Sequence, residues 1–267
     1  MRKLFIMLFI VLAAFTSCKK DKPQRKAKKL PTDFYGTYYS NGNINFRLET
    51  HYTYDEKNNI VYFTRNYNYI DGSSSLFRYE FSYADAEKGL PEKYDKYLDN
   101  TLIGHRLFFF TDERLTRIED WNAGMDTLKY SYDFTYDGNG KVTSIRYINP
   151  LRNRDNTDLL TFNGDNLTLI KSFQTRDMQN PQREYFYEDY DDHPIASKYV
   201  HTRLWPSIRK NNYRHYKRIR YSNGQATTTE KFYELEYDDD GFPVTITAKN
   251  PNGEILYQTH IEYNKTE

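Results

Sequence analysis

The ten residues YDGNGKVTSI, from Tyr136 to Ile145, contain the pattern that decides the fold. An aromatic residue ends one strand, Asp137 begins a polar turn with glycines, and Val142 opens an aliphatic strand. Related phrases begin at Tyr54, Tyr83, Phe110, Phe162, Tyr190, Tyr221 and Tyr237. The anchors at positions 54, 83, 110, 136, 162 and 190 are separated by 29, 27, 26, 26 and 28 residues. Repetition at a period of about 26 indicates one supersecondary unit that is used many times.

Alternation with period two identifies the unit as a pair of strands. In residues 77–83 and again in residues 130–136, every aromatic residue falls on one face and every polar residue on the other. Such alternation is typical of half-buried antiparallel strands. The sequence therefore predicts an all-β fold, an antiparallel meander of β-hairpin repeats that forms a curved, twisted sheet of barrel-like or shell-like form. Because the face opposite the aromatics is charged, it is unlike the apolar outer band of a lipid-spanning barrel.

The predicted core is aromatic, since the chain contains 27 Tyr and 17 Phe. Each aromatic side chain buries roughly 150–250 Å², and aromatic pairs across neighbouring strands stabilise a sheet. A thin sheet can therefore be stable with few aliphatic residues.

The first eighteen residues have the features of an export signal. Arg2 and Lys3 precede the apolar run from residue 4 to residue 15, which is too short for a membrane-spanning helix of about 20 residues. Residues 15–18, Phe-Thr-Ser-Cys, resemble the box of a bacterial lipoprotein signal, and Cys18 is the single cysteine of the chain. The resemblance implies acylation of Cys18, palmitate included, and attachment to a membrane by lipid alone, which two or more acyl chains make stable.

The sequence divides into three parts. Residues 1–18 are the predicted signal, residues 19–31 a basic disordered tether, and residues 32–267 a single β-repeat domain. Residues 1–29 carry a net charge of +8 (nine basic minus one acidic), so the remainder carries −7 against the total of +1. The tether either lies on anionic headgroups or acts as a solvated spacer. The predicted location is the cell envelope, at the outer membrane facing the periplasm, with exposure at the cell surface as the alternative.

The repeated phrase resembles the tyrosine-aspartate (YD) repeat of RHS-type proteins. The residues that carry the resemblance are Tyr136, Asp137, Gly140, Val142, Thr143 and Ile145, and again Tyr237, Asp238, Gly241, Val244, Thr245 and Ile246. Together with the lipoprotein signal, the chain is similar to Bacteroidetes lipoproteins built of such repeats. The resemblance implies a β-hairpin array and no catalytic residues.

Candidates for chemistry are few. The six histidines show no metal-ligand spacing. The acidic runs 188–192 and 238–240 lack the spacing of a calcium loop and fall at turns, where Asp is expected. The sequence predicts no metal, no cofactor and no catalytic residue, and the protein is not expected to be an enzyme.

The segment from Trp205 to Tyr221 is the strongest candidate for ligand binding. It interleaves six Lys or Arg with aromatic residues, and cations beside stacking rings bind acidic polysaccharide or nucleic acid. An envelope location excludes nucleic acid as the partner. The candidate ligand-binding residues are Trp205, Tyr213, Tyr216, Arg218 and Tyr221. The alternative is a solvated strand face whose positive charge balances the acidic turns.

One modification site is also predicted. Residues 126–128, Asp-Thr-Leu, resemble the acceptor for O-glycosylation in Bacteroidetes envelope proteins, with Thr127 as the acceptor.

Three functional hypotheses follow. The first is a non-catalytic cell-envelope lipoprotein that serves as a β-repeat scaffold or partner-binding module, with an envelope protein or polysaccharide as the partner. The second is a glycan-binding accessory lipoprotein. The third is an envelope hydrolase that uses carboxylates of the repeat turns, which requires two such groups about 5–10 Å apart.

Overall fold

The computed structural model describes residues 29–196 and 210–264, and these residues form a closed antiparallel β-barrel. Within them sixteen strands follow one another in chain order, each paired with its sequence neighbours. The strands are β1 (Pro31–Ser40), β2 (Asn43–Tyr54), β3 (Ile60–Tyr69), β4 (Ser74–Asp85), β5 (Leu90–Leu98), β6 (Thr101–Thr111), β7 (Arg114–Asn122), β8 (Leu128–Tyr136), β9 (Val142–Asn149), β10 (Arg154–Asn163), β11 (Asn166–Gln174), β12 (Arg183–Pro194), β13 (Asn211–Ser222), β14 (Gln225–Tyr237), β15 (Pro243–Lys249) and β16 (Ile255–Tyr263).

The barrel closes because the first strand pairs with the last. Gly36 of β1 lies opposite Thr259 of β16, and Tyr38 lies opposite Tyr257. The predicted all-β antiparallel meander is confirmed, and of the two predicted forms the barrel is the one observed. Among the described residues, the structure contains no helix with the length and apolarity that a membrane crossing requires.

The turns that follow the anchor aromatics of the repeat lie at one end of the barrel, which we call the anchor end, and three of them share one geometry. At the turn between β8 and β9, the Asp137 carboxylate accepts hydrogen bonds from the backbone N–H groups of Asn139 and Lys141. Gly140 completes this turn with φ of +82°, a conformation that other residues rarely adopt. Asp55 and Asp238 make the same pair of bonds in their own turns. The predicted role of the repeat Asp in turn formation is therefore confirmed at three copies.

The anchor tyrosines join the ends of paired strands. The Tyr136 hydroxyl at the end of β8 donates to the Leu115 carbonyl near the start of β7, at 2.6 Å. The equivalent bonds run from Tyr54 to Pro31, from Tyr83 to Ile60, from Tyr190 to Leu167 and from Tyr263 to Pro243. In each case a phenol at the end of one strand satisfies a carbonyl at the start of the strand before it. The repeat thus favours Tyr because the ring packs inward while the hydroxyl ties neighbouring strands together.

One of the eight anchor residues differs from the sequence prediction: it is Tyr263 and not Tyr221. Tyr221 lies near the end of β13, and its turn to β14 is at the opposite end of the barrel from the anchor turns. The eighth anchor is Tyr263 at the end of β16, 26 residues after Tyr237. The phrase at Tyr221 is therefore a hairpin turn of a different kind, and its inclusion among the repeat copies is wrong.

The apolar core occupies the anchor end of β2 to β11. Its buried members include Phe63, Tyr79, Ile118 and Leu167, and the rings of Phe63 and Tyr79 stack with their centroids 4.3 Å apart. The cluster is a continuous band of cross-strand neighbours, as aromatic alternation predicts.

The ordered body begins before the end of the predicted tether. Leu30 is buried, its N–H donates to the side chain of Asn264 at 2.7 Å, and β1 starts at Pro31. Lys29 pairs with Asp238 at 2.6 Å in the last anchor turn. Residues 29–31 therefore belong to the barrel and not to a disordered tether, while residues 1–28 lie outside the described residues.

The anchor hydroxyl gives a direct test of this architecture. Replacing Tyr136 by Phe leaves the Leu115 carbonyl without its donor, so we expect the free energy of unfolding to fall by about 0.5–1.5 kcal/mol. Urea denaturation measures the change. Tyr62→Phe, on an exposed side chain, is the matched control and should stay within about 0.5 kcal/mol of wild type. Equal stability of the two variants would contradict a structural role for the anchor hydroxyl.

Candidate functional site

Strand alternation gives the barrel wall two faces of different chemistry. On β3, Phe63, Arg65 and Tyr67 share the face of the apolar core, which we call the lumen face, while Tyr62 and Thr64 lie on the outer face. Residues paired across neighbouring strands point to the same side, so Arg65 shares its face with Thr50 and Phe77. Between the β-bulges, the register therefore assigns each paired residue to the lumen or to the outside.

The lumen contains a cavity of about 370 Å³ beside the apolar core. It is bounded by β1 to β3 on one side and by β13 to β16 on the other. Its volume is in the range of small-molecule sites. The lining residues combine aromatic rings, hydroxyls, one amide, one guanidinium and aliphatic side chains. They are Phe34, Gly36, Tyr38, Leu48, Thr50, Tyr52, Arg65, Ile195, Ala196, Asn212, Tyr213, Tyr233, Leu235, Ile246, Tyr257 and Thr259.

Tyrosine dominates the polar part of this wall. Burial raises the pKa values of Tyr38, Tyr52 and Tyr233 above the ordinary value of 10.0, so these phenols remain protonated at neutral pH and can donate hydrogen bonds. The Tyr233 hydroxyl interacts with those of Tyr213 and Tyr257. The ring of Tyr257 also stacks on Tyr38, with centroids 5.4 Å apart. The phenols of Tyr38, Tyr213, Tyr233 and Tyr257 thus form a wall of connected rings and hydroxyls.

Arg65 places a cation in the same wall. Its guanidinium carbon lies 5.5 Å from the centroid of the Phe63 ring, and its side chain interacts with the Tyr52 hydroxyl. The Nε atom is buried and has no hydrogen-bond partner among the described residues. A buried donor without a partner costs about 1–3 kcal/mol, so this N–H is available to a ligand.

A second polar cluster lies along the lumen face of β5 to β8. Arg106 pairs with Asp120 through two nitrogens: Nε donates to both carboxylate oxygens at 3.2 and 3.0 Å, and Nη2 lies 2.8 Å from Oδ2. Burial raises the pKa of Asp120, although the charges of Arg106 and Lys96 act in the opposite direction. Lys96 lies 4.8 Å from the centroid of the Phe77 ring. The Phe77 ring that Lys96 contacts belongs to the residue opposite Arg65 on the neighbouring strand, so this cluster lies next to Arg65 along the lumen face.

Strand β13 separates the residues that the sequence grouped as one binding segment. Tyr216 and Arg218 lie on the lumen face, opposite Lys231 and Thr229, and Tyr213 lines the cavity. Tyr221 has the opposite parity to Arg218 and lies on the outer face, where its hydroxyl donates to Glu184 at 2.6 Å. The four side chains therefore do not form one surface, because alternation with period two sends them to both sides of the wall.

The other predicted sites are placed as follows. Thr127 lies in the turn between β7 and β8, and its hydroxyl donates to the Asp126 carboxylate at 2.9 Å. Its glycosylation remains a prediction. Cys18 and Trp205 lie outside the described residues.

Metal-ligating side chains are dispersed in the barrel. Residues 29–196 and 210–264 contain no group of three or more His, Cys, Asp or Glu that could hold a metal ion. His105 and His215 pair with Asp95 and Glu188 at 2.5 and 2.9 Å. In the acidic run 188–192, Asp191 accepts a hydrogen bond from the Tyr237 hydroxyl, so this carboxylate links two strands of the barrel.

Sequence reasoning missed the lumen cations Arg65, Lys96, Arg106 and Lys231. The sequence contains a signal for them, because they occupy alternate positions of a strand whose other alternate positions are aromatic. Residues 63, 65 and 67 are Phe, Arg and Tyr, and residues 231 and 233 are Lys and Tyr. A charged residue at an aromatic position of the alternation indicates a cation on the buried face.

Comparisons with known proteins bear on the fold. No protein-family model matches the sequence, and no curated protein matches it. A porin-like protein from Bacteroides uniformis has a similar structure, with a TM-score of 0.57 at 10% identity, and the match covers 87% of this chain and 95% of that one. A porin-like protein from Bacteroides vulgatus has a TM-score of 0.45 at 12% identity, over 89% of this chain and 99% of that one. The first likeness supports the fold alone.

The buried carboxyl of Asp158 gives a prediction about pH. Burial raises its pKa above the ordinary value of 3.8, against the opposing effects of the Ser172 hydroxyl and the Arg183 charge. Between 3.8 and the raised pKa the folded state holds more protons than the unfolded state, so the free energy of unfolding falls as pH rises through this window. Asp158→Asn should therefore be more stable than wild type at pH 7, and the difference should close below the unfolded pKa of about 3.8.

Urea denaturation at neutral and acidic pH measures this difference. Asp133→Asn, which breaks the outer-face pair with Arg117, is the control and should give no gain at neutral pH. A loss of stability in Asp158→Asn at pH 7 would contradict the assigned burial cost.

Proposed function

We propose that this protein is a non-catalytic cell-envelope lipoprotein whose barrel binds a small saccharide in its lumen. The observation that carries the proposal is the cavity of about 370 Å³ between β1 to β3 and β13 to β16. Its rings provide stacking surfaces, and its phenols, threonine hydroxyls and amide provide hydrogen-bonding groups that converge on one space. The barrel is thus both the scaffold and the binding module.

The envelope assignment rests on the N-terminal sequence and on the fold. The signal-like residues 1–18 support export and acylation of Cys18. The similar structure of a porin-like protein from Bacteroides uniformis also favours an envelope-associated barrel. We propose that the barrel faces the periplasm from the outer membrane.

The outer face supports attachment by lipid rather than immersion in lipid. Arg117 on β7 pairs with Glu119 and with Asp133 on β8, at 2.7 and 2.9 Å. Arg146 on β9 pairs with Asp155 on β10 at 2.7 Å. On the lipid face of a transmembrane barrel, a cation near the midplane costs about 2–4 kcal/mol. Charge pairs along several adjacent strands therefore favour a barrel that stands in water.

The cavity wall favours binding over hydrolysis. Of the described residues that line it, none is an Asp or a Glu, so it lacks the facing carboxylates of a glycosidase. The turn carboxylates of Asp55, Asp137 and Asp238 are occupied by backbone N–H groups at the anchor end. Recognition without chemistry is the function that these groups support.

Lipid attachment has a simple test. In Cys18→Ser no thiol is available for acylation, so we expect the protein to leave the membrane fraction and to lose incorporation of labelled palmitate. Ser17→Ala, which keeps the thiol and a small residue before it, is the control. A Cys18→Ser protein that stays with the membrane would contradict the anchor.

Saccharide binding is tested by comparing tyrosines on the lumen face of the wall with one on its outer face. A glycan array identifies the ligand, and calorimetry of the best binder measures the dissociation constant. The double variant Tyr38→Phe and Tyr233→Phe removes two cavity hydroxyls but keeps their rings, and should weaken binding about tenfold. Tyr35→Phe, on the outer face of β1, is the matched control and should bind as wild type does. An array without a binder, or equal affinity of the double variant and wild type, would remove the proposal.

A further inference from the structure

Carboxylates and cations form pairs on the outer face of the barrel, whereas the charged side chains of its lumen are mostly cations. Outward carboxylates pair with outward cations, as Glu184 does with Lys171 and Glu230 with Lys217. The lumen-facing cations of the paired strands are Arg65, Lys96, Arg106, Arg154, Arg183, Arg218, Arg220 and Lys231. Asp120 and Asp158 face the same space, and Asp120 already holds Arg106. The lumen therefore has an excess of positive charge.

Two of these cations, Arg65 and Lys231, lie at the tyrosine-lined cavity. Arg65 lines it from β3, with its buried Nε lacking a partner among the described residues. From β14, Lys231 places its Nζ atom 5.6 Å from the centroid of the Tyr257 ring, which is part of the wall. Tyr257 in turn stacks on Tyr38. The two cations thus flank one continuous group of phenols.

A further cation, Arg218, lies beside Lys231. Arg218 on β13 donates to the Thr229 hydroxyl at 3.2 Å, but its Nε is buried without a partner among the described residues. Burial and the charge of Arg218 both lower the pKa of Lys231. Neither cation pairs with a carboxylate in the described part of the chain, since the ion pairs of β13 and β14 are formed by His215, Lys217, Glu230 and Glu234.

From this arrangement we infer that the lumen ligand carries an anionic group, a carboxylate or a sulfate, which sits between Arg65 and Lys231 while the rest of the ligand stacks on the tyrosines. The inference rests on the proposed lumen binding and names the class of saccharide, an acidic one. Half-buried cations without counter-ions are costly to a fold, and an anion between them offsets that cost. The protonated phenols add neutral donors, which suit an anion and would repel no charge.

The test compares each acidic glycan with its neutral twin. Uronate-bearing glycans are paired with their carboxyl-reduced forms, and sulfated glycans with their desulfated forms, so that only the charge differs. We expect wild type to bind the acidic member at least about tenfold more tightly, with the preference falling as salt is added. The two pairs also distinguish a carboxylate from a sulfate.

Three variants locate the anion site. Arg65→Gln and Lys231→Gln should each remove most of the acidic preference, whereas Arg65→Lys should keep part of it because the charge remains. Arg47→Gln, on the outer face of the neighbouring strand β2, is the matched control and should keep the full preference. Circular dichroism and thermal melting establish that each variant is folded. Loss of affinity for acidic and neutral twins alike would identify Arg65 as merely structural and overturn the inference.

A second readout follows Lys231 itself. An anion beside its ammonium group should raise the pKa of Lys231, which NMR of isotope-labelled lysine follows during titration. Equal binding of acidic and neutral twins, or an unchanged Lys231 titration in the presence of the acidic twin, would overturn the anionic ligand and leave the lumen site in place. An array with no binder of either kind would instead overturn both the lumen site and the inference.

Discussion

The hydrogen bond from an anchor tyrosine to a carbonyl at the start of the preceding strand is the interaction on which the barrel depends. It recurs at Tyr54, Tyr83, Tyr136, Tyr190 and Tyr263, always at the anchor end. Each bond satisfies a backbone group that would otherwise face the aromatic interior unpaired. Tyr54 and Tyr136 also pack their rings against the apolar core, so one side chain there contributes both to the register of a hairpin and to the inward direction of its aromatics.

Once the register is fixed, the period of two separates charge across the wall. A slip of one residue would exchange the faces, placing Arg65 outside and Thr64 within. The outer face can pair its charges through salt bridges that water also screens. On the lumen face, Arg65, Lys96 and Arg106 are half-buried, so a ring, a hydroxyl, a carboxylate or a ligand must match the charge that water solvates less well there. Arg106 has Asp120, whereas Arg65 has phenols and an unpaired N–H.

Local features of the fold could be predicted from the sequence, and long-range ones could not. Strand alternation and turn residues are patterns of consecutive residues, so the hairpins, the Asp turns and the aromatic core can all be predicted from the sequence. The pairing of β1 with β16 joins residues more than two hundred positions apart, for which no local pattern exists. The side on which Tyr221 lies depends on the register of β13, and a run of basic and aromatic letters does not reveal it. Tyr263 was missed as an anchor because no turn phrase follows it.

The number of strands connects the fold to the site. Barrel diameter grows with strand number, and sixteen strands enclose more space than their inward side chains fill. In this barrel the apolar cluster occupies the anchor end of β2 to β11, and the cavity remains between β13 to β16 and β1 to β3. The repeat thus supplies the core on one side. On the other side Arg65, a departure from the aromatic pattern, lines the open space, and inward Lys231 lies against Tyr257 of its wall with Arg218 beside it. We expect binding where a charged residue interrupts the aromatic alternation, because the Nε atoms of Arg65 and Arg218 there are buried without a hydrogen-bond partner among the described residues.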